Sequence, residues 1–132
     1  MIAFWRVCKT NMQSTYDHIQ YYKLGKKQKE AIIVKLKALL ANEKEIKLAW
    51  LFGSVILRDS IRDLDIAIHA EPEMTFQDFL NLNAQIELEL RIPVDMVQIG
   101  NMPQKLKENI LASGILIKGN QRLQRQFQKT RV

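Results

Sequence analysis

The sequence predicts an α/β (α+β) domain in which a mixed sheet of about four strands packs against helices. Three observations lead to this fold class. A stretch with helical periodicity comes first, two apolar strands separated by a short polar connection follow it, and two helix–strand pairs complete the order. A chain of 132 residues is long enough for one such domain with a buried core.

The first predicted helix covers residues 28–41. Its apolar residues recur at helical spacing, with lysines between them; they are Ile32, Ile33, Leu36, Leu39 and Leu40. Residues 46–52 then form a nearly continuous apolar run that only Lys47 interrupts. Such a run predicts a strand buried on both faces.

The second strand is predicted over residues 64–70, where side chains alternate between two faces. Leu64, Ile66 and Ile68 share one face, and Asp63, Asp65, Ala67 and His69 share the other. Between the strands, Gly53-Ser54 reads as a turn and residues 55–58 as a single helical turn. This connection is too short for the usual parallel crossover, so the two strands are predicted to be antiparallel.

The second half of the chain adds two helix–strand pairs. Thr75 with Asp78 three residues later resembles a capping box, and Pro93 permits a strand that starts directly after it. The predicted bounds are Thr75 to about Arg91 and Asn101–Ser113 for the helices, and 94–99 and 115–118 for the strands.

The helices and strands cover residues 28–118, which we interpret as the folded domain. Residues 1–27 form a basic N-terminal extension without a clear period, and residues 119–132 form a basic C-terminal tail. Leu123 and Phe127 lie four residues apart in the tail, among arginines and glutamines. A frayed, solvated helix is the expected structure there.

The net charge of +6 comes from the two ends of the chain. Residues 1–29 carry a net charge of +5 and residues 118–132 another +5, which leaves −4 for residues 30–117. This distribution does not support a basic groove for nucleic acid across the core. It favours basic arms or a basic docking surface.

The single cysteine, Cys8, rules out an intramolecular disulfide and disfavours a cysteine-based zinc site. A reducing cytoplasm is therefore the expected location. No apolar stretch approaches the roughly 20 residues that a membrane-spanning helix needs. Met12 is an alternative start, in which case the residues before it would not belong to the functional chain.

Three acids lie in or beside predicted strands. Asp63 and Asp65 are two residues apart, so on a strand they point to the same face with Cα atoms roughly 6.5 Å apart. Asp95 interrupts the apolar residues of a third strand, where an unpaired charge is costly. A divalent cation would satisfy all three. Solvated acids at a strand end remain an alternative, as does an arginine partner from among Arg58, Arg62 and Arg91.

Gly53 and Ser54 follow directly after the first predicted strand. A glycine and a small hydroxyl residue at a strand end form a turn suited to binding phosphate. Together with the paired acids, the turn suggests metal-dependent chemistry on a nucleotide. His69 shares the face of the acids, but a structural role is favoured for it.

Three motifs occur in a fixed order: Leu51-Phe52-Gly53-Ser54, then Asp63-Leu64-Asp65-Ile66, and later Pro93-Val94-Asp95-Met96-Val97. This combination resembles the minimal nucleotidyltransferases of the DNA polymerase beta superfamily, and it implies the nucleotidyltransferase fold for residues 28–118. The spacer, residues 55–62, is shorter than is common in that family. Arg58-Asp59 is its nearest counterpart to the Ala-Arg-Gly-Glu-like segment that the family usually has there.

The resemblance implies a role for each of five residues. Gly53 would let the backbone approach the triphosphate, and Ser54 would hold its β- or γ-phosphate. Asp63 and Asp65 would bind Mg²⁺ on the nucleotide. Asp95 would complete a second Mg²⁺ site and help to activate the acceptor hydroxyl, which attacks the α-phosphorus and releases pyrophosphate.

The resemblance also implies a partner. Minimal members of this family are often encoded beside a helical HEPN-type protein, and some are antitoxins that adenylylate it. By analogy, the chain would transfer AMP from ATP to a HEPN-type protein. Two hypotheses stay open beside this one: transfer to a small molecule or an RNA end, with the basic arms contacting RNA, and a non-catalytic module that only binds a partner. A homo-oligomer is compatible with each.

Overall fold

The computed structural model describes the backbone of residues 21–130 and the side chains of residues 21–128. Predictions about the preceding segment, including Cys8 and the alternative start at Met12, lie outside the described residues. Within residues 21–130, no helix is both long enough and apolar enough to cross a membrane.

The elements follow the predicted order. The helices are α1 Lys26–Ala41, α2 Ser54–Leu57, α3 Phe76–Leu90, α4 Gln104–Ser113 and α5 Gln121–Thr130. The strands are β1 Tyr22–Lys23, β2 Ile46–Phe52, β3 Ser60–Ile61, β4 Leu64–Ala70, β5 Val94–Gln98 and β6 Ile115–Lys118, and a 3₁₀ turn follows β5 over Ile99–Asn101. The predicted bounds agree with these to within a few residues, but β1 and β3 were not predicted.

The main sheet is mixed and has four strands in the order β5-β4-β2-β6. β2 runs antiparallel to both β4 and β6, whereas β4 and β5 are parallel and are connected through α3. The predictions of a mixed four-stranded sheet and of an antiparallel first pair are therefore confirmed. β1 and β3 form a separate two-stranded antiparallel sheet.

Helices cover both faces of the main sheet. α1 and α3 pack on one face, where Leu36, Leu40 and Ile86 are fully buried. α4 and α5 contribute to a second apolar cluster on the other face, which includes Trp50. Because consecutive strand residues alternate between faces, Leu51 belongs to the first cluster and Trp50 to the second. The prediction that this strand is buried on both faces is confirmed.

Local hydrogen bonds fix the connection from α3 to β5. Thr75 caps α3, since its hydroxyl oxygen accepts a hydrogen bond from the Asp78 amide at 3.1 Å, as predicted. At the other end, Arg91 adopts the left-handed conformation and ends the helix. The Glu87 carboxylate then accepts a hydrogen bond from the Val94 amide at 2.7 Å. This bond ties the start of β5 to α3.

α5 packs against the domain, so the prediction of a frayed, solvated tail helix is wrong. Phe127 is only 7% exposed. The Trp50 indole donates a hydrogen bond to the Gln124 side-chain oxygen, and the Gln124 amide donates to the Leu111 carbonyl, both at 3.1 Å. These contacts bury one face of α5 against β2 and α4. The domain limits at residues 28 and 118 stay a prediction.

Candidate active site

Two of the predicted acids lie side by side on neighbouring strands. Asp65 of β4 is opposite Asp95 of β5 in their parallel register. On its other side Asp65 is opposite Phe52, the last residue of β2. Asp63 comes directly before β4 and shares the face of Asp65. The three acids therefore lie at the same end of the sheet, where β2 ends and β4 and β5 begin.

The carboxyl group of Asp65 has a strongly raised pKa. It rises from 3.8 to about 6, first because partial burial removes solvation and then because of the negative charges of Asp63 and Asp95. No basic side chain offsets this charge, because in residues 21–128 none of the three acids forms an ion pair. The alternative of an arginine partner is therefore not supported.

The chemistry of the three acids fits a divalent cation. Carboxylate oxygens are the ligands that Mg²⁺ prefers, and a cation would offset the desolvation and the repulsion from Asp63 and Asp95 that raise the pKa of Asp65. However, no three His, Cys, Asp or Glu side chains in the described part of the chain are close enough together to hold a metal ion. The three carboxylates are suitable ligands, but their side chains would have to rotate to bring their oxygen atoms within reach of one ion.

Gly53 directly follows β2 and has a backbone conformation that other residues rarely adopt. Its φ angle is +81°, and a Cβ atom at this position would collide with Oδ2 of Asp65. The missing side chain lets the turn into α2 pass directly beside the acid. The structure thus brings Gly53, Ser54 and the three acids into one neighbourhood.

Ser54 is the first residue of the short helix α2. Its carbonyl oxygen accepts a hydrogen bond from the Arg58 amide at 2.8 Å, and the Gly53 carbonyl accepts one from the Ile56 amide at 3.1 Å. Val55 is buried and anchors α2 in the core. The predicted helical turn is confirmed, and it places Ser54 directly after the glycine that touches Asp65.

The part of the spacer that follows α2 is held in place mainly by residues of the predicted N-terminal extension. β3 pairs with β1, and the Leu24 amide donates a hydrogen bond to the Asp59 carbonyl at 2.7 Å. Lys29 of α1 donates one to the Arg58 carbonyl at 2.6 Å, and its ammonium nitrogen lies 3.6 Å from Asp59 Oδ1. The short spacer is therefore fixed at several points.

A largely apolar cavity of about 310 Å³ opens beside the glycine turn. Its lining comes from β2 and α2 on one side and from α4 on the other: Phe52, Gly53, Ile56, Leu57, Leu106, Asn109, Ile110, Ser113 and Gly114. A volume of this order suits a small organic ligand. Sequence reasoning missed the α4 residues, because nothing in the pattern of that helix distinguishes a cavity wall from an ordinary core face.

His69 does not lie among the acids. It is four residues beyond Asp65 on β4, which is roughly 13 Å along a strand. Its ring packs on Phe127 with 4.6 Å between the ring centroids, and its Nε2 lies 3.8 Å from the Glu71 carboxylate. The structural role favoured from the sequence agrees with these contacts.

Comparison with known families identifies the class of protein. The family model for polymerase beta nucleotidyltransferases matches residues 34–123, which is more than half of the chain. The chain belongs to this nucleotidyltransferase family, whose members generally use a divalent metal ion. The resemblance inferred from the three motifs is confirmed. A search of curated proteins returned no match.

Solved structures of toxin–antitoxin complexes share the fold. A chain of such a complex with AMP-PNP is 27% identical with a TM-score of 0.60, over 74% of this chain and 79% of that one. A chain of the MntA–HepT toxin–antitoxin complex is 23% identical with a TM-score of 0.60, over the same shares of the two chains. A chain of the complex of tri-AMPylated Shewanella oneidensis HEPN toxin with MNT antitoxin is 23% identical with a TM-score of 0.62, over 75% and 79%. The predicted nucleotidyltransferase fold is confirmed.

Proposed function

We propose that this nucleotidyltransferase is an antitoxin that transfers AMP from ATP to a hydroxyl group of a HEPN-type partner protein. The observation that carries the proposal is that the Gly53-Ser54 turn passes beside Asp65, which lies opposite Asp95 at one end of the sheet. Membership of the family supports the reaction class. The similar complexes support the donor and the acceptor, since one is with AMP-PNP and another holds an AMPylated HEPN toxin.

Each residue of the site has a proposed role in that transfer. Gly53 lets the backbone approach the triphosphate, and Ser54 binds the β- or γ-phosphate through its hydroxyl and amide. Asp63 and Asp65 would hold Mg²⁺ on the nucleotide, and Asp95 would complete a site for a second ion. The two ions would neutralise the charge that develops on the attacking and leaving oxygens. The acceptor hydroxyl loses its proton, with help from Asp95, and attacks the α-phosphorus as pyrophosphate leaves.

The proposal also extends to the domain and the compartment. Residues 28–118 are the proposed catalytic domain, and the cytoplasm is the proposed location, as the cysteine content predicts.

A second candidate function is transfer to an RNA end. The observation that favours it is the outward face of α5, where Arg122 and Arg125 are exposed on the side away from the buried Phe127. Phosphate contacts by such residues would make RNA binding strongly dependent on salt. RNA binding that falls with salt and is lost in an Arg122→Gln/Arg125→Gln variant would support this function. That variant leaves the buried face of α5 unchanged.

The decisive experiment follows the label of an α-labelled nucleotide. The protein is incubated with Mg²⁺ and each α-labelled NTP, together with the product of the adjacent gene and with total RNA. We expect label from ATP on the adjacent gene product. The Ser54→Ala variant, which keeps the backbone amide, should transfer it more slowly, and the Asp65→Asn variant should transfer it at least roughly a hundredfold more slowly. Glu73→Gln, an exposed acid outside the site, serves as the matched control. Label on RNA, or transfer by the Asp65→Asn variant at the rate of the unaltered protein, would contradict the proposal.

A further inference from the structure

The cavity of about 310 Å³ beside the glycine turn, which we call the α4 cavity, has one wall formed by a single face of α4. The residues of this wall follow one another at helical spacing; they are Leu106, Asn109, Ile110 and Ser113. Within residues 21–128, the side chains of Asn109 and Ser113 form no hydrogen bond. The wall is therefore an apolar surface with one amide and one hydroxyl group that can bind a ligand.

The α4 cavity is continuous with the candidate active site. Gly53 lines the cavity, and the same glycine passes so close to Asp65 that a Cβ atom would collide with the carboxylate. Phe52, which also lines the cavity, lies opposite Asp65 in the sheet. A ligand held at the Gly53-Ser54 turn can therefore extend directly into the cavity.

The position and the polarity of the α4 cavity decide which part of the reacting molecules it can hold. In the strand order β5-β4-β2-β6, Asp95 lies on one side of Asp65, and the cavity lies on the other side, at the end of β2. An acceptor that approaches Asp95 is therefore away from the cavity. The described residues that line it include no lysine or arginine, so burial of the triphosphate charges there would be costly. The nucleoside end of the nucleotide is the part that remains.

We propose that the α4 cavity binds the base of the nucleotide and that Asn109 selects adenine. The inference rests on the proposed nucleotidyl transfer and assigns a site to the part of the donor that this proposal leaves without one. Phe52 and Ile56 provide aromatic and aliphatic surface on which a base can stack. Leu57, which also lines the cavity, is 83% exposed. A bound base would cover this leucine and remove apolar surface from water.

The Asn109 side chain has the hydrogen-bonding groups that adenine needs. An asparagine amide presents a donor and an acceptor side by side, and it pairs with adenine through N6, which donates, and N7, which accepts. Guanine has acceptors at both O6 and N7 on the same edge, so one of the two hydrogen bonds would be lost. We therefore expect ATP to bind roughly tenfold more tightly than GTP.

Calorimetric titration of the full chain tests the proposal without an acceptor. The ligands are ATP, GTP and inorganic tripolyphosphate, each with Mg²⁺. Asn109→Leu should bind ATP as weakly as GTP, because leucine forms neither hydrogen bond, and should bind tripolyphosphate as the unaltered protein does. Gln104→Leu is the matched control, since it makes the same change from amide to leucine at an exposed position of α4 outside the cavity. It should keep the preference for ATP.

Ser113→Phe tests whether the base lies in the cavity. A phenylalanine side chain at this position would occupy the space beside α4, so the affinity for ATP should fall roughly tenfold. The affinity for tripolyphosphate should not change, because the phosphate turn is unaltered. Asn109 and Ser113 are both exposed, and circular dichroism establishes that each variant remains folded.

Three results would overturn the base site: equal affinity of the unaltered protein for ATP and GTP, an undiminished preference in Asn109→Leu, or full ATP affinity in Ser113→Phe. AMP transfer could still occur in each case. Conversely, a preference for ATP that Asn109→Leu abolishes, in a protein that labels no acceptor, would support the base site and contradict the proposed transfer. Failure of the unaltered protein to bind ATP with Mg²⁺ would overturn both.

Discussion

Asp65 is the residue on which the candidate site depends most. It lies opposite Asp95 in the sheet, and the charge of Asp63 contributes to its raised pKa. Its carboxylate fills the space that a Cβ atom on Gly53 would need. Two features that the sequence shows separately, the glycine turn and the acids, are therefore in direct contact. Gly53→Ala should therefore destabilise the fold, whereas Asp65→Asn should stabilise the metal-free protein.

Gly53→Ala should destabilise the fold by about 1–3 kcal/mol, because alanine at positive φ is strained and its Cβ would displace Asp65. Urea unfolding measures the loss. Gly100→Ala is the matched control, since a Cβ there meets nothing within 4 Å, and it should change stability by less than about 0.5 kcal/mol. Equal effects of the two substitutions would contradict the close approach at Gly53.

Asp65→Asn should stabilise the metal-free protein at neutral pH. The folded state binds the Asp65 proton more tightly than the unfolded state, because folding raises the pKa from 3.8 to about 6. The stability of the unaltered protein therefore falls as the pH rises through this window and stays lower above it. Asparagine carries no charge and avoids this loss. The expected gain above pH 6 is roughly 1–2 kcal/mol after allowance for solvent screening.

Unfolding of both proteins in EDTA between pH 4 and pH 8 measures this difference. The gain should shrink towards pH 4, because the carboxyl group is then protonated in the folded state and already partly protonated in the unfolded state. A difference that does not depend on pH would show that ionisation of the partly buried Asp65 carboxyl group beside Asp63 and Asp95 is not its cause. The raised pKa would then have no consequence for stability.

At the scale of the elements, α5 shows what tertiary contacts add to a weak sequence pattern. Leu123 and Phe127 alone do not reveal whether a helix surrounded by arginines and glutamines is packed or solvated. Whether the helix is packed depends on the surface available to it, which here is the second apolar cluster around Trp50. The hydrogen bond between the Trp50 indole and Gln124 links residues 74 positions apart.

Phe127→Ala should therefore lower the free energy of unfolding by about 3 kcal/mol, as expected for removal of a buried aromatic ring. Arg125→Ala, on the exposed side of the same helix, should change it by less than about 0.5 kcal/mol. Chemical denaturation compares the two variants. Similar small effects from both would restore the expectation of a solvated tail.

The sequence predicts best the elements that carry a strong period or a specific motif. β2 and β4, their antiparallel pairing and the shared face of Asp63 and Asp65 all follow from alternation and loop length. β1 and β3 have two residues each, which is too short for any periodic signal. They become visible only through pairing between distant segments, and this pairing is what fixes the short spacer.

At the scale of the whole molecule, the excess of positive charge lies at the two ends of the sequence and not in its centre. The centre of the chain is acidic, and the described part of the basic tail presents Arg122 and Arg125 outwards from α5. Removing residues 119–132 would delete these charges but would also remove the packing of Phe127. A test for RNA binding should therefore use charge substitutions, because a deletion confounds binding with stability.

We propose above all that the three acids and the glycine turn form one metal-dependent transfer site. The most direct measurement is the rate of AMP transfer from ATP by the unaltered protein and by the Asp63→Asn, Asp65→Asn and Glu73→Gln variants across a Mg²⁺ titration. Both site variants should lose activity by roughly a hundredfold or more while remaining folded. Glu73→Gln should keep the full rate and the same Mg²⁺ dependence. An undiminished rate in both site variants would contradict a transfer site built from these acids.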